Sequence, residues 1–386
     1  MTYPGSGARA ETRFFDLPAF KMRSGDLLPR VRLAYELYGE VNSAGDNLIL
    51  LFHALTGSQH AAGFTPLVEG VERWVEENQT GWWEGFVGPS MAVDTNRFAV
   101  LCVNYLGGCY GTTGPPSIND ETGDRYGPDF PPVDLADIVD SQLPLLDHLG
   151  VRTVRAAAGA SVGALLSLSM AARYPARVRS VIALAGGLGA TTLQRMLNFE
   201  QRLAILNDAN FAGGHYYDGE FPSGGLALAR IISHKAFVSL DAIRSRARSE
   251  VIDHPYVTHP VESYFWHQGE KLVIRFDPNS YLRIIDAWSN YDLLTDTGAS
   301  TYQDALTACR DQQWHVFTID TDACFYPEEQ RQLVEALRAA GVEVEWTKVS
   351  SAKGHDAFLT EPALFHDALR RALAEPRARS HWFSGL

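Results

Sequence analysis

Short apolar runs alternate with segments of helical periodicity along most of the chain. Residues 47–52 (NLILLF) and 98–105 (FAVLCVNY) are apolar runs of the length expected for buried parallel strands. Between residues 135 and 149 the apolar positions recur at helical spacing, and Gly150 ends that segment. The first 150 residues therefore predict two buried strands followed by a helix.

The same alternation continues further along the chain. Strand-like runs occupy residues 154–158, 178–185, 314–319 and 342–349, and helical periodicity occupies residues 165–173 and 361–374. Strands that alternate with helices are typical of a mostly parallel sheet flanked by helices. We therefore assign the chain to the α/β class.

Between residues 189 and 297 the alternation breaks down. This stretch is polar and aromatic, with helical periodicity at residues 192–206 and 225–237. Ligands in open α/β sheets bind beyond the carboxyl ends of the strands, so an insertion at that edge would cover the site. We expect a core domain formed by residues 1–188 and 298–386, and a helical lid domain formed by residues 189–297.

Composition narrows the classes of function. The chain has 386 residues, 46% of them hydrophobic, and a formal net charge of −13 without a cluster of Lys and Arg, so nucleic acid is not an expected partner. The four cysteines form no CxxC pair, which favours free thiols in a reducing compartment. No apolar run has the length of a signal peptide or a membrane span. We expect a soluble cytoplasmic protein with no membrane partner.

Residues 159–163 (GASVG) match the motif G-x-S-x-G. The motif lies between a strand-like run and a helical run, which is the context of a strained strand-to-helix turn that exposes a nucleophilic serine. The helix behind it directs backbone N–H groups toward a developing oxyanion. The motif predicts Ser161 as the catalytic nucleophile.

A serine nucleophile needs a base, and in this topology an acid and then a histidine follow it along the chain. His355 lies after the strand-like run 342–349 and is the predicted general base. Asp320 and Asp322 both follow the run 314–319, and spacing does not rank them as the acid.

The second oxyanion donor of such a site comes from the loop after an early strand. That loop is residues 53–57 (HALTG), so the backbone N–H groups of Leu55 and Val162 are the predicted oxyanion hole. The sequence contains no HExxH motif and no Cys/His pairing at zinc spacing. We therefore expect neither a metal site nor a permanently bound cofactor.

Several further blocks are more specific than G-x-S-x-G. They are residues 53–57 (HALTG), 82–83 (WW), 87–89 (VGP), 93–95 (VDT), 104–119 (NYLGGCYGTTGPPSIN), 126–130 (YGPDF), 224–230 (GGLALAR), 268–281 (QGEKLVIRFDPNSY) and 354–359 (GHDAFL). With these blocks the chain resembles the homoserine O-acetyltransferase family of α/β-hydrolase-fold acyltransferases over nearly its whole length.

The resemblance assigns roles that spacing leaves open. It implies that the triad acid is Asp322, in the block TDACFYP, that Arg230 contacts the carboxylate of an amino acid, and that Asp356 receives its ammonium group. A guanidinium fork suits a carboxylate, and a buried carboxylate suits an ammonium group. The competing interpretations are a surface charge on a lid helix for Arg230 and a helix N-cap for Asp356.

Three departures from the family bear on the substrate. Val162 follows the nucleophile where the family usually has Met, Phe237 stands where the family commonly has Tyr, and residues 287–289 (AWS) replace the usual block. A branched side chain beside Ser161 predicts a changed pocket wall, and Phe237 removes a hydroxyl that could bind the acceptor.

The resemblance implies a ping-pong reaction that moves an acetyl group from acetyl-CoA, as co-substrate, to the hydroxyl of L-homoserine in methionine biosynthesis. Two alternatives stay open within the same chemistry: L-serine as acceptor, and succinyl-CoA as donor. An esterase with the same triad is a third. The expected partners are a small amino acid, an acyl-CoA and a second copy of the chain, held through the aromatic-rich lid.

Overall fold

The computed structural model describes residues 10–247 and 251–374. Eight strands form one sheet. They are β1 (Arg13–Leu17), β2 (Val31–Tyr38), β3 (Leu48–Phe52), β4 (Ala99–Val103), β5 (Ala156–Ala160), β6 (Ser180–Leu184), β7 (Gln313–Ile319) and β8 (Glu343–Val349). Their order across the sheet is β1-β2-β4-β3-β5-β6-β7-β8.

The sheet is parallel except at one edge. Strand β1 pairs antiparallel with β2, and β2 pairs antiparallel with β4, while all other neighbours are parallel. Strands β3, β4, β5 and β6 are buried along their whole length, as unbroken apolar runs predict. The predicted α/β class with a mostly parallel sheet is confirmed.

Twelve α-helices connect and cover the strands in the described residues. They are α1 (Leu135–His148), α2 (Val162–Arg173), α3 (Thr192–Leu206), α4 (Ser223–Phe237), α5 (Leu240–Arg246), α6 (Pro260–Arg275), α7 (Pro278–Asn290), α8 (Leu293–Thr297), α9 (Tyr302–Thr307), α10 (Pro327–Ala339), α11 (Ala357–Thr360) and α12 (His366–Leu373). None of these helices is long and apolar enough to cross a bilayer.

The structure corrects three predictions about elements. The strand predicted at residues 154–158 lies at Ala156–Ala160, because its pairing with β3 and β6 outweighs the weak strand preference of alanine. The helix predicted over residues 361–374 begins only at His366, because residues Pro362–Leu364 form a short 3₁₀ turn that Pro362 opens. Strands β1 and β2 have no counterpart in the prediction, because β1 is a partly buried edge strand and charged residues interrupt the apolar positions of β2.

Helices α3 to α8 all lie between β6 and β7, in the stretch where the strand-helix alternation breaks down. Helix α4 packs against both α3 and α6. Leu226 and Leu272, from α4 and α6, belong to the same buried apolar cluster as Leu165 from α2. We call α3 to α8 the inserted helices. The division into a core domain and a lid domain stays a prediction.

Candidate active site

The predicted catalytic residues follow the carboxyl ends of four parallel strands of the sheet, β3, β5, β7 and β8. Ser161 follows β5, the residues from Asp320 to Asp322 follow β7, His355 lies in the loop after β8, and the HALTG loop follows β3. Because the carboxyl ends of parallel strands meet at one edge, the fold brings segments separated by up to 300 residues of sequence into one place.

Ser161 has a backbone conformation that non-glycine residues rarely adopt. Its φ of 59° and ψ of −124° turn the chain from β5 directly into α2. The turn is held by the Ser161 N–H, which donates to the Leu184 carbonyl at 3.0 Å, and by the Ser161 carbonyl, which accepts from the Ala164 N–H at 2.9 Å. The strained serine predicted from G-x-S-x-G is therefore present.

Close backbone approach explains the two glycines of the motif. A Cβ atom on Gly159 would lie 2.3 Å from the Gly163 carbonyl oxygen, and one on Gly163 would lie 2.3 Å from the Phe52 carbonyl oxygen. Neither position has room for a side chain. The small residues thus allow α2 to begin directly against β3 and β5.

The acid that contacts His355 is Asp322. Its Oδ2 atom accepts a hydrogen bond from His355 Nδ1 at 2.8 Å, and its Oδ1 atom accepts from the backbone N–H groups of Cys324 and Phe325, both at 2.8 Å. Asp320 instead accepts from the Ser351 N–H at 3.0 Å. The geometry therefore ranks the two aspartates that spacing could not.

His355 is enclosed by aromatic rings and leaves one nitrogen free. The rings of Phe325, Phe358 and Phe237 lie 5.5, 5.2 and 5.8 Å from its ring, between centroids. Burial alone would lower the pKa of His355, but the adjacent Asp322 carboxylate outweighs burial, and the pKa is raised. Nε2 is buried and has no hydrogen-bond partner among the described residues, so it is available to a hydroxyl in the cavity.

Two backbone N–H groups near Ser161 are also free. Neither Leu55 N–H nor Val162 N–H donates to an acceptor within residues 10–247 and 251–374. Val162 is the first residue of α2, where a helix leaves its N–H groups without an internal partner. These two N–H groups are the ones that the sequence predicts as the oxyanion hole.

One cavity of about 230 Å³ collects most of these groups. Ser161, His355 and Leu55 line it, together with Arg230 and Asp356. Asp322 and Val162 do not line the cavity. Asp322 bonds the lining residue His355, and Val162 directly follows the lining residue Ser161.

Arg230 and Asp356 bring one charge of each sign to the cavity wall. Neither side chain forms a hydrogen bond or an ion pair within 4 Å of another described residue, although the Arg230 guanidinium lies over the Phe237 ring at 5.5 Å. Asp356 directly precedes α11, but its side chain makes no capping hydrogen bond, which contradicts the N-cap interpretation. Burial raises the pKa of Asp356, and the nearby Arg230 opposes that change.

Sequence reasoning missed two charged residues of the cavity. Arg275, the last residue of α6, and Glu77 both line it, and Arg275 Nε lies 3.7 Å from Glu77 Oε2. Arg275 belongs to the block at residues 268–281. The feature of the sequence that could have identified it is a single arginine between apolar residues. No group of three His, Cys, Asp or Glu side chains within the described ranges is arranged to hold a metal ion.

The three departures from the family differ in their relation to the cavity. Phe237 lines it, whereas Val162 is fully buried in the apolar core and does not, so the predicted change of the pocket wall at Val162 is wrong. Trp288 lies one layer behind the site, where its ring stacks on Phe325 at 5.9 Å, and Phe325 in turn stacks on His355.

Comparisons with known proteins agree with this geometry. A family model described as "alpha/beta hydrolase fold" matches residues 47–362. A homoserine O-acetyltransferase of Symbiobacterium thermophilum is 41% identical over 93% of this chain and 93% of its own length. A homoserine O-succinyltransferase of Neisseria gonorrhoeae is 39% identical over 92% of each chain. The crystal structure of a homoserine O-acetyltransferase from Bacillus anthracis shares the fold, with a TM-score of 0.86 and 24% identity over 95% of this chain and 98% of that one.

Proposed function

This chain belongs to the α/β-hydrolase family, among its homoserine O-acyltransferases, and we propose that it transfers an acetyl group from acetyl-CoA to the hydroxyl of L-homoserine. One observation carries the proposal. The cavity that holds Ser161 and His355 also holds a guanidinium and a carboxylate, those of Arg230 and Asp356, which have no hydrogen-bond or ion-pair partner among the described residues. An esterase for uncharged esters has no use for such a pair, whereas the acceptor of an amino-acid acyltransferase is a zwitterion.

The two charges fit the two ends of the acceptor. Arg230 would bind the α-carboxylate through its planar fork, and Asp356 would bind the α-ammonium group. Asp356 adjoins His355 in sequence, so the hydroxyl of the bound amino acid would be delivered near the Nε2 atom of His355. Binding energy at the charged end thus orients the reacting end.

In the first half-reaction His355 Nε2 takes the proton from Ser161 Oγ while Oγ attacks the thioester carbonyl. The oxyanion of the tetrahedral intermediate receives hydrogen bonds from Leu55 N–H and Val162 N–H. The C–S bond then breaks, and His355 returns its proton to the leaving thiolate of CoA. The product is an acetyl ester of Ser161.

In the second half-reaction the acceptor hydroxyl replaces the thiol. His355 takes the hydroxyl proton, the hydroxyl oxygen attacks the acetyl ester, and the same N–H groups stabilise the second oxyanion. The bond between the carbonyl carbon and Ser161 Oγ breaks, and His355 returns the proton to Ser161. The product is an O-acetyl amino acid, which we place in methionine biosynthesis, in the cytoplasm.

The charges in the cavity favour acetyl over succinyl as the transferred group. A succinyl group brings a carboxylate of its own, which needs a cation beyond the one that binds the acceptor. The other arginine of the cavity wall, Arg275, lies beside Glu77 and is already bonded to Thr56. No further cation among the described residues lines the cavity.

Discrimination between homoserine and serine rests on a single methylene, which is worth about 1–3 kcal/mol in a pocket. Phe237 presents a ring without a hydroxyl to the cavity and therefore leaves the alkyl chain of the acceptor in apolar surroundings. The longer alkyl chain of homoserine gains more from this contact than serine does.

A matrix of two donors and two acceptors tests the proposal. Acetyl-CoA and succinyl-CoA are each combined with L-homoserine and L-serine, and release of CoA and formation of the O-acyl amino acid are both measured. We expect the highest kcat/KM for acetyl-CoA with L-homoserine, and no product with Ser161→Ala. Slow CoA release that ignores the acceptor would instead identify an esterase, and a preference for succinyl-CoA would contradict the charge argument.

A further inference from the structure

Arg275 connects the inserted helices to the loop that carries one of the two proposed oxyanion donors. It is the last residue of α6, its side chain is only 16% exposed, and it lines the cavity without belonging to the triad or to the acceptor-binding pair. A largely buried cation needs polar partners, and those of Arg275 are Thr56 in the loop and Tyr110 in the core.

The guanidinium bonds one residue twice. Arg275 Nη1 donates to the Thr56 carbonyl oxygen at 2.9 Å, and Nη2 donates to Thr56 Oγ1 at 3.2 Å. Thr56 immediately follows Leu55, whose N–H group is free. No other donor in the described ranges reaches the Thr56 carbonyl, so Arg275 is the one side chain there that holds it.

Arg275 is itself held in place. Its Nη1 atom also donates to Tyr110 Oη at 3.2 Å, and Tyr110 Oη donates to the Arg275 carbonyl oxygen at 2.8 Å. Tyr110 is fully buried. These bonds hold the Arg275 side chain in one position, and its guanidinium can therefore restrain the loop.

The other parts of the loop are anchored by the core. Tyr105 Oη donates to the His53 carbonyl, Gly57 N–H donates to the Ala54 carbonyl at 2.9 Å, and Trp82 Nε1 donates to the Ser58 carbonyl at 3.0 Å. Leu55 and Thr56 lie between these anchors and line the cavity. Within the described part of the chain, Arg275 is the only cavity residue whose side chain bonds Thr56.

We propose that Arg275 is a positioning residue for the oxyanion hole: by bonding Thr56 twice, it holds the Leu55 N–H group on the reacting carbonyl. The proposal rests on the acyl-serine mechanism given above. Both half-reactions pass through an oxyanion, so loss of this restraint slows acylation and deacylation alike and leaves acceptor binding intact.

The bonds to Thr56 use the shape of the guanidinium as well as its charge. Two donors in one plane reach two oxygens of one residue, which an ammonium group on a flexible stem does not reproduce. Arg275→Lys is therefore the informative variant, because it keeps the charge beside Glu77 and removes the fork.

The experiment measures acylation of Ser161 separately from acceptor binding. The burst of p-nitrophenol from p-nitrophenyl acetate reports acylation without CoA or an amino acid, and steady-state turnover of acetyl-CoA gives the KM for L-homoserine. For Arg275→Lys we expect the acylation rate constant to fall about 10- to 100-fold, with the KM for L-homoserine within about twofold of wild type.

Two further variants keep the test decisive if Arg275→Lys folds poorly. Thr56→Val removes one of the two bonds without touching Arg275, and we expect a smaller fall, about threefold, that adds nothing in the Arg275→Lys background. Arg202→Gln is the matched control, since it removes an arginine of α3 paired with Asp286, outside the cavity. It should leave the burst unchanged.

Unchanged acylation in Arg275→Lys, or a rise confined to the KM for L-homoserine, would overturn the positioning role and leave the proposed function standing. Absence of any acyl-Ser161 in the wild-type protein would overturn both.

Discussion

Ser161 combines a strained backbone with the reactive oxygen. A serine at φ 59° and ψ −124° costs about 1–3 kcal/mol relative to a relaxed conformation, and only glycine adopts this region freely. The surrounding fold maintains this conformation, because backbone hydrogen bonds join Ser161 to Leu184 and to Ala164. At the residue scale, stability is given up where the nucleophile lines the cavity.

Replacing Ser161 by glycine should therefore stabilise the protein while it removes activity. We expect the free energy of unfolding of Ser161→Gly to rise by about 1 kcal/mol, measured by urea denaturation. Ser161→Ala keeps the Cβ atom and the strain, and serves as the control that removes the hydroxyl only. Equal stability of the two variants would show that the backbone of Ser161 is not strained.

The raised pKa of His355 predicts the acid limb of the pH profile. His355 must be neutral to accept a proton, and it is protonated below its pKa, so kcat/KM should rise with pH through an apparent pKa above the ordinary value of 6.5. Asp322→Asn removes the carboxylate that raises the pKa of His355, so the effect of burial dominates and this pKa falls. The acid limb of the profile should therefore move to lower pH, and activity should fall about 10⁴-fold. A limb that stays in place in Asp322→Asn would contradict this account.

At the scale of elements, the end of α4 is bonded to the loop that carries His355. Asp356 N–H donates to the Phe237 carbonyl at 2.9 Å, and Ser239 N–H donates to the Lys353 carbonyl at 3.2 Å. Gly354 makes this contact possible with a φ of 79°, and a Cβ atom there would lie 2.6 Å from the Ser239 nitrogen. The helix with Arg230 and the loop with His355 are thus one unit.

Gly354→Ala should break this unit. We expect a loss of about 2–4 kcal/mol in the free energy of unfolding, from backbone strain and the clash together, and a fall in kcat. Gly298→Ala is the matched control: Gly298 has a similar φ of 71° but open space around it, so strain alone costs about 1 kcal/mol. Urea denaturation of both variants measures the difference, and equal losses would mean that the contact with Ser239 contributes nothing.

At the scale of the whole molecule, the described residues leave an apolar face of the inserted helices uncovered. Four of its side chains recur every three or four residues along α3, a fifth lies on α4, and each is 40–55% exposed. Exposed apolar side chains grouped in this way are typical of an interface. They are Met196, Phe199, Leu203, Leu206 and Leu228.

We predict that this face joins two copies of the chain. Light scattering coupled to gel filtration should give a dimer for the wild type and a monomer for the double variant Phe199→Glu, Leu203→Glu, because two buried carboxylates per protomer are too costly to desolvate. Leu27→Glu changes a single exposed leucine outside the face and should leave the dimer intact. A monomeric wild-type protein would contradict the prediction.

Much of the site could be predicted from local sequence. Buried parallel strands appear as apolar runs because both of their faces are covered, and G-x-S-x-G marks its turn because the backbone there admits only small neighbours. The position of His355 after the last strand and the free N–H of Val162 follow from chain order and from helix geometry. Each of these features is local or depends only on the order of elements.

Tertiary structure decided what depends on contacts between distant segments. Asp322 and Asp320 are equivalent in spacing, and only the packing of the loops after β7 and β8 places one of them 2.8 Å from His355. Val162 looks like a pocket residue beside the nucleophile, but the start of α2 turns it into the core. Arg275 lies 219 positions from Thr56 along the chain, so a local sequence pattern could not predict the bond between them.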